Sequence, residues 1–272
     1  MSELTENIAL EVDGEEIDLY DIMRRAKARN DLEFVQQAID AAIIRQEATR
    51  QEIAVSDEEL QMAADQFRAA HELYDVAATE AWLATKHLTF EEWELFVEET
   101  VLTRKLREAI TADKIEPHFA INKLTFDAAE ISRLVVSEED IARELRAQLT
   151  EEQADFHSLA RTYSIDSTTR LAGGYAGKVM RPEMEAAVES AVFGGQPGNV
   201  VGPFKLEDGW HLIKIESLHR AELDDALRET IKTQVFTEWL DQRRRKAQIK
   251  LPLLAVVAPV NDAVEDLAVS NK

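Results

Sequence analysis

The chain has 272 residues, 45% of them hydrophobic, enough to bury a substantial core and to exclude wholesale disorder. Its 31 Lys and Arg face 53 Asp and Glu, and a formal net charge of -22 repels both phosphate backbones and anionic lipid surfaces. Nucleic acid is thereby disfavoured as a partner, and the absence of cysteine excludes disulfides, thiolate metal sites and thiol nucleophiles.

The N-terminal stretch MSELTENIALEVDGEEIDLY has neither a basic n-region nor an apolar h-region, so no signal peptide is visible in it. No apolar run approaches the ~20 residues of a spanning helix, so no membrane insertion is expected. The expectation is a soluble, cytoplasmic protein. IALEVDGEEIDLY predicts a hairpin or extended start with its turn at Asp13-Gly14. Helical spacing then dominates, first in Val35, Ala38, Ile39, Ala42 and Ile43. Ser56-Asp57-Glu58-Glu59 is a capping box, opening a helix whose apolar stripe runs Leu60, Ala63, Phe67, Ala70, Tyr74, Ala77. Thr89-Phe90-Glu91-Glu92 is a second box, followed by Trp93, Val97, Val101 and Leu106 on one helix. Pro117 ends or kinks the helical pattern around it.

Beyond Thr125 the texture changes. AAEISRLVVS predicts a strand, and Ser137 a cap for a short helix bearing Ile141, Leu145 and Leu149. Phe156 and Leu159 mark a second short helix, and YSIDSTTRLAGGYAGK a loop. Arg181-Pro182 predicts a helix start, with Met184, Val188, Ala191 and Val192 on its apolar side and Gly194-Gly195 stopping it. GPFKLEDGWHLIKIES predicts a hairpin turning at Asp208-Gly209. A long helix from Leu223 to about Gln248 repeats Leu227, Ile231, Val235 and Trp239, and ends in Arg243-Arg244-Arg245-Lys246, read as a solvated, dipole-matched terminus. A lone terminal helix with such a stripe needs a surface to bury it, and the N-terminal helices supply one. The plan is therefore α+β: residues 1-125 helical, 126-220 a small mixed module inserted into that helical domain, 221-250 a closing helix and 251-272 a tail.

Four motifs in order carry a resemblance: DFHSLARTYSIDS, LAGGYAG, MEAAVESAVFGGQPGNVVGPF and EDGWHLIKIES. Together they resemble the parvulin family of peptidyl-prolyl cis-trans isomerases over roughly 90 residues, and the flanking AAIIRQEATRQEIAVSDEEL is similar to the helical region of the larger chaperone-isomerases of the SurA and PrsA kind. The resemblance implies an antiparallel-rich module in a chaperone-like helical domain. It implies a pocket for the proline ring on Met184 and Val188, with Ala176 where Leu is commoner, Val188 where Phe is usual, and Phe193 as the nearby core aromatic. It places Asp166 facing the reacting amide, and His211 beside a second first-strand histidine. That partner is replaced here by Ser132, or by Arg133 if the register slips by one.

Plainer readings stand beside these. His211, sharing a strand face with Ile213 and Ile215, reads equally as a satisfied core histidine, Met184 and Val188 as helix-to-sheet packing, and Asp166 as an Asx-turn former. The six histidines show no metal-binding spacing, and no cofactor is expected. The implied function is an isomerase-foldase of weak to moderate activity acting on unfolded or extended proline-containing peptides. The alternatives are a catalytically weak parvulin-scaffold chaperone, or an accessory protein for maturation or export of one dedicated peptide. Long striped helices also admit a homodimer.

Overall fold

The computed structural model of the chain describes residues 8–250, so the expected tail at 251-272 lies outside the described residues. The described residues form two compact units, one of residues 8–114 with 232–250, the other of residues 115–231. The boundaries expected for the inserted module lie about ten residues inside these limits.

In the first unit β1 (Ile8–Val12) and β2 (Glu15–Asp18) form an antiparallel hairpin. Asp13 and Gly14 at its turn have φ of 51° and 88°, the left-handed pair that a two-residue turn of matching twist requires. Helices α1 (Leu19–Ala28), α2 (Glu33–Arg50), α3 (Asp57–Ala70), α4 (Val76–Lys86) and α5 (Phe90–Thr111) follow. Both capping boxes are formed: the Ser56 amide meets the Glu59 carboxylate at 2.9 Å and the Thr89 amide that of Glu92 at 2.8 Å. The stripe expected to run on through Tyr74 and Ala77 stops at α3's end. The Asp75 side chain accepts the Ala78 amide at 2.7 Å and starts a separate helix, leaving Tyr74 exposed. One core joins Leu83, Trp93 and Val97 with Leu60 and Phe67. Another joins Ile44, Leu106 and Ile110 to Phe236, Trp239 and Leu240 on the last helix.

The second unit begins with α6 (Ile115–Asn122), which takes Pro117 in its first turn. Then come β3 (Ala128–Val136), α7 (Glu139–Glu151), α8 (Phe156–Tyr163), β4 (Tyr175–Met180), α9 (Ala186–Gly194), β5 (Val200–Leu206), β6 (Gly209–His219) and α10 (Asp225–Lys246), which crosses into the first unit. The sheet is antiparallel throughout, in the order β4-β3-β6-β5. Leu134, Val136 and Leu212 pack on one face with Leu145 of α7 and Phe156 of α8. Ala129, Ile131, Ile213 and Ile215 pack on the other with Val188 and Val192 of α9. Burial on both faces is why Leu134, Val135 and Val136 are apolar at consecutive positions of β3 instead of alternating with polar residues.

Three local expectations change. Ser137 does not cap α7; Glu138 occupies that position without a side-chain bond. The stretch expected as loop contains β4, an edge strand whose half-exposed residues lack a clean alternation. Arg181-Pro182 makes a single 3-10 turn, closed by the Glu183 carboxylate accepting the Met180 amide at 2.8 Å. Met184 is extended, with φ -92° and ψ 142°, so it precedes α9 rather than riding on it.

The basic end of α10 is not merely solvated. Arg244 reaches both Asp40 oxygens at 2.7 and 2.8 Å, and Arg243 lies 3.5 Å from Glu47, which is 2% exposed. The Glu47 carboxylate also accepts from Arg50 and, at 2.7 Å, from the Gln51 side-chain Nε2. The Arg50 bonds outweigh burial and draw the Glu47 carboxyl from 4.5 down to about 2. A carboxylate lowered in the folded state stabilises above its unfolded value and loses that contribution as pH falls through the folded one. The melting-temperature gap between wild type and Glu47→Gln should therefore be widest above about pH 5 and close toward about pH 2. A gap that does not change with pH would refute this account of the contact.

Candidate active site

Register across three strands builds one row of Phe204, His211 and Val135, and beneath it a second row of Val201, Ile213 and Arg133. Side chains alternate across a strand, so His211, Ile213, Ile215, Arg133 and Val135 share the α9 face. His211 is 4% exposed, and its Nε2 lies 2.6 Å from an Asp208 oxygen on the adjoining turn. Burial works to raise the Asp208 carboxyl, but the His211 contact and the charges of His211 and Arg133 hold it below its ordinary value.

Ser132 is not the partner of His211. It pairs with Lys214 on the opposite face, is fully buried, and donates to Glu216 at 2.7 Å. A one-residue difference in register reverses every side chain, and the alternative assignment, Arg133, is the one the strand presents toward His211.

Past Ser132 the free edge of β3 is filled by a loop instead of by β4. The Arg133 amide donates to Gly174 O at 2.8 Å, the Ile165 amide to Val135 O at 2.8 Å, and the Val135 amide to Ser164 Oγ at 3.2 Å. This docking sets Asp166 beside Arg133. The Asp166 carboxylate accepts from Arg133 Nε at 2.7 Å, Thr168 N at 3.0 Å, Thr168 Oγ1 at 2.6 Å and Thr169 Oγ1 at 2.5 Å. Burial alone would raise this carboxyl; the hydroxyl, amide and guanidinium donors together hold it well below the usual range. Asp166 thus makes an Asx-turn and also anchors Arg133.

The apolar part of the site is continuous with the α9-side core. Val188 is 4% exposed and lies in the floor with Val192, Ile213 and Ile215. Ala176, Met184 and Phe193 are half-buried against that floor, as are Phe204 and Leu206. The Arg181 guanidinium stands 4.6 Å over the Phe193 ring. Phe204 and Leu206 were not singled out from the sequence, although period-two alternation within the hairpin GPFKLEDGWH puts them on the His211 face. Among the described residues no cluster of three or more His, Asp or Glu could hold a metal ion. The arrangement offers an apolar seat bordered by fixed N–H donors.

The helical unit has apolar grooves of its own. One of about 550 Å³ lies between α3 and α5, lined by Met62, Phe67, Phe96 and Val101, with Glu59 at its border. Another of about 430 Å³ is lined by Ile44, Phe96, Phe236 and Leu240.

Residues 124–217 match the rotamase family, described as PPIC-type PPIASE domain. A foldase protein PrsA from Caldanaerobacter subterraneus is 26% identical over 129 residues, 47% of this chain and 42% of the relative. A second PrsA, from Halalkalibacterium halodurans, is 27% identical over 243 residues, 83% of this chain and 71% of the relative. The chaperone SurA of Bordetella avium is 31% identical over 105 residues, 35% of this chain and 21% of the relative. The first of these matches thus spans less than half the relative's length and the second about seven tenths. Among solved structures, the peptidylprolyl isomerase PrsA from Bacillus cereus superposes with a TM-score of 0.50 at 19% identity, covering 90% of this chain and 94% of that one, a likeness of fold. Residues 124–217 are a parvulin-type module, and over most of its length the chain is similar to PrsA in sequence and in fold.

Proposed function

We propose that this chain is a peptidyl-prolyl cis-trans isomerase of the foldase kind, which seats an extended peptide on the Met184–Phe193–Phe204 patch and speeds rotation of its X-Pro bond. The observation that carries it is coincidence: the segment matching the rotamase family is the segment whose strands, loop and helix bring Arg133, Asp166, His211 and the apolar seat to one face. The reaction suits such a site. The bond rotates over a barrier of ~18–20 kcal/mol set by amide resonance, and each tenfold acceleration requires only ~1.4 kcal/mol. No nucleophile is needed, only an apolar seat for the pyrrolidine ring and donors that favour the twisted amide.

The test is a protease-free or coupled isomerisation assay on a proline tetrapeptide. Activity above the uncatalysed rate is expected, with Met184→Ala lowering kcat/KM by about tenfold through loss of one wall of the seat. A chain with no activity at any concentration would remove the enzymatic reading.

The grooves of the helical unit support a second role, holding client segments while the module works. Their linings are mainly apolar, edged by charges of both signs (Glu59 and Arg104 in one, Asp40, Arg45 and Glu99 in the other), while the chain as a whole is strongly acidic, so apolar stretches flanked by Lys or Arg are the segments they suit. Suppression of client aggregation, weakened by salt and by Phe96→Ser, would support this; suppression unaffected by both would count against it.

A further inference from the structure

We propose that Arg133 is a catalytic residue of this site, donating a guanidinium N–H to the prolyl nitrogen as the peptide bond twists. The proposal rests on the isomerase reading and names the group that performs its central step.

The other polar side chains expected here are committed elsewhere. Asp166 is an anion with four donors already directed at it, so it has neither a proton to give nor room for another strong donor. His211 is nearly sealed from solvent, with Nε2 held at 2.6 Å by Asp208. Ser132 faces the other side of the sheet. Arg133 differs on each point. It lies on the His211 face, opposite Ile213 of the apolar floor, and its side chain is 36% exposed. Nε is fixed by Asp166 at 2.7 Å and one terminal nitrogen by Thr168 Oγ1 at 3.1 Å. A guanidinium has five N–H bonds, so three remain without a partner among the described residues. The planar fork is therefore held at one edge and open at the other.

The chemistry selects the atom it serves. In the planar amide the nitrogen lone pair belongs to the π system and accepts no hydrogen bond. In the twisted amide the pair is localised on nitrogen and becomes a good acceptor. A donor aimed there bonds only the transition state, which raises kcat without tightening ground-state binding. A donor aimed at the carbonyl oxygen would do the reverse, because that oxygen is most negative when the amide is planar.

The experiment measures kcat and KM separately on the full chain with a proline tetrapeptide, for wild type, Arg133→Met and Arg133→Lys, alongside melting temperatures. Arg133→Met should lower kcat by about 10- to 100-fold with KM within about twofold. Arg133→Lys keeps a charge for Asp166 but loses the second edge of the fork, so it should melt like wild type and still lose kcat. If Arg133→Met fails to fold, the Lys variant alone decides. Either folded variant retaining wild-type kcat, or raising KM alone, would overturn the proposal while leaving the isomerase reading intact. An inactive wild type would overturn both.

Discussion

Gly174→Ala is expected to abolish isomerase activity and to destabilise the 115–231 unit by at least about 3 kcal/mol. Gly174 has φ +84°, and a Cβ built on it would stand 2.4 Å from Arg133 O and 3.1 Å from the Ala160 Cβ. The first of these is backbone, so no rotamer change relieves it. The same residue accepts the Arg133 amide at 2.8 Å and donates to Thr169 O at 2.9 Å, which makes it the rivet between the loop and the edge of β3. Pushing the loop away would separate Asp166, Thr168 and Thr169 from the guanidinium they orient. Gly177→Ala is the internal control. Its φ is +81°, but nothing lies within 4 Å of the added carbon, so only the left-handed strain of roughly 1–2 kcal/mol applies. Activity assays and thermal melts of both variants settle the matter. Equal effects of the two would mean that close approach to β3 is irrelevant.

The contrast between Gly174 and Gly177 also measures what the sequence could disclose. Composition and order locate a glycine loop after Asp166, but which glycine touches backbone depends on how the loop docks, and that is a long-range fact. The capping boxes at Ser56 and Thr89 were legible because every atom involved lies within four residues. That AAEISRLVVS forms a strand was legible from its β-branched and apolar residues. The face of Ser132 was not, because register is fixed by pairing with β6, some eighty residues away. Arg133 stood only as the alternative to Ser132 for the same reason: which of the two faces His211 depends on that pairing, and the carboxylate that fixes its guanidinium is supplied by a distant loop. The cations ending α10 looked like a dipole-matched terminus, since the acids that bind them lie about two hundred residues earlier on α2. Met184 was misplaced onto a helix because Pro182 favours a helical first turn, whereas the Glu183 carboxylate closes that turn after three residues.

Asp127→Ala should unfold the same unit almost as readily, with a loss of about 3 kcal/mol, and for a reason unconnected with the reacting atoms. Asp127 lies just before β3, 1% exposed. One of its oxygens accepts the buried Ala221 amide at 2.9 Å, the other Arg220 at 3.0 Å, and its own carbonyl accepts the Arg181 amide at 2.9 Å. Arg181 in turn places its guanidinium 3.7 Å from the carboxylate while covering the Phe193 ring and pairing with Glu189. One carboxylate thus ties the exit of β6, the entry of β3 and the turn before α9. The Arg220 arm is largely exposed and contributes little through solvent screening, so the loss falls chiefly on the Ala221 amide, left buried without an acceptor, and on Arg181. Asp127→Asn keeps an acceptor for that amide but removes the charge. It should recover about half of the stability lost in the alanine variant, with a rise in KM as Arg181 loosens over Phe193. Urea melts of the two variants separate the contributions. If the asparagine variant is as unstable as the alanine one, the charge on Arg181 dominates; if neither differs from wild type, the three segments are held together by packing alone and the carboxylate is incidental.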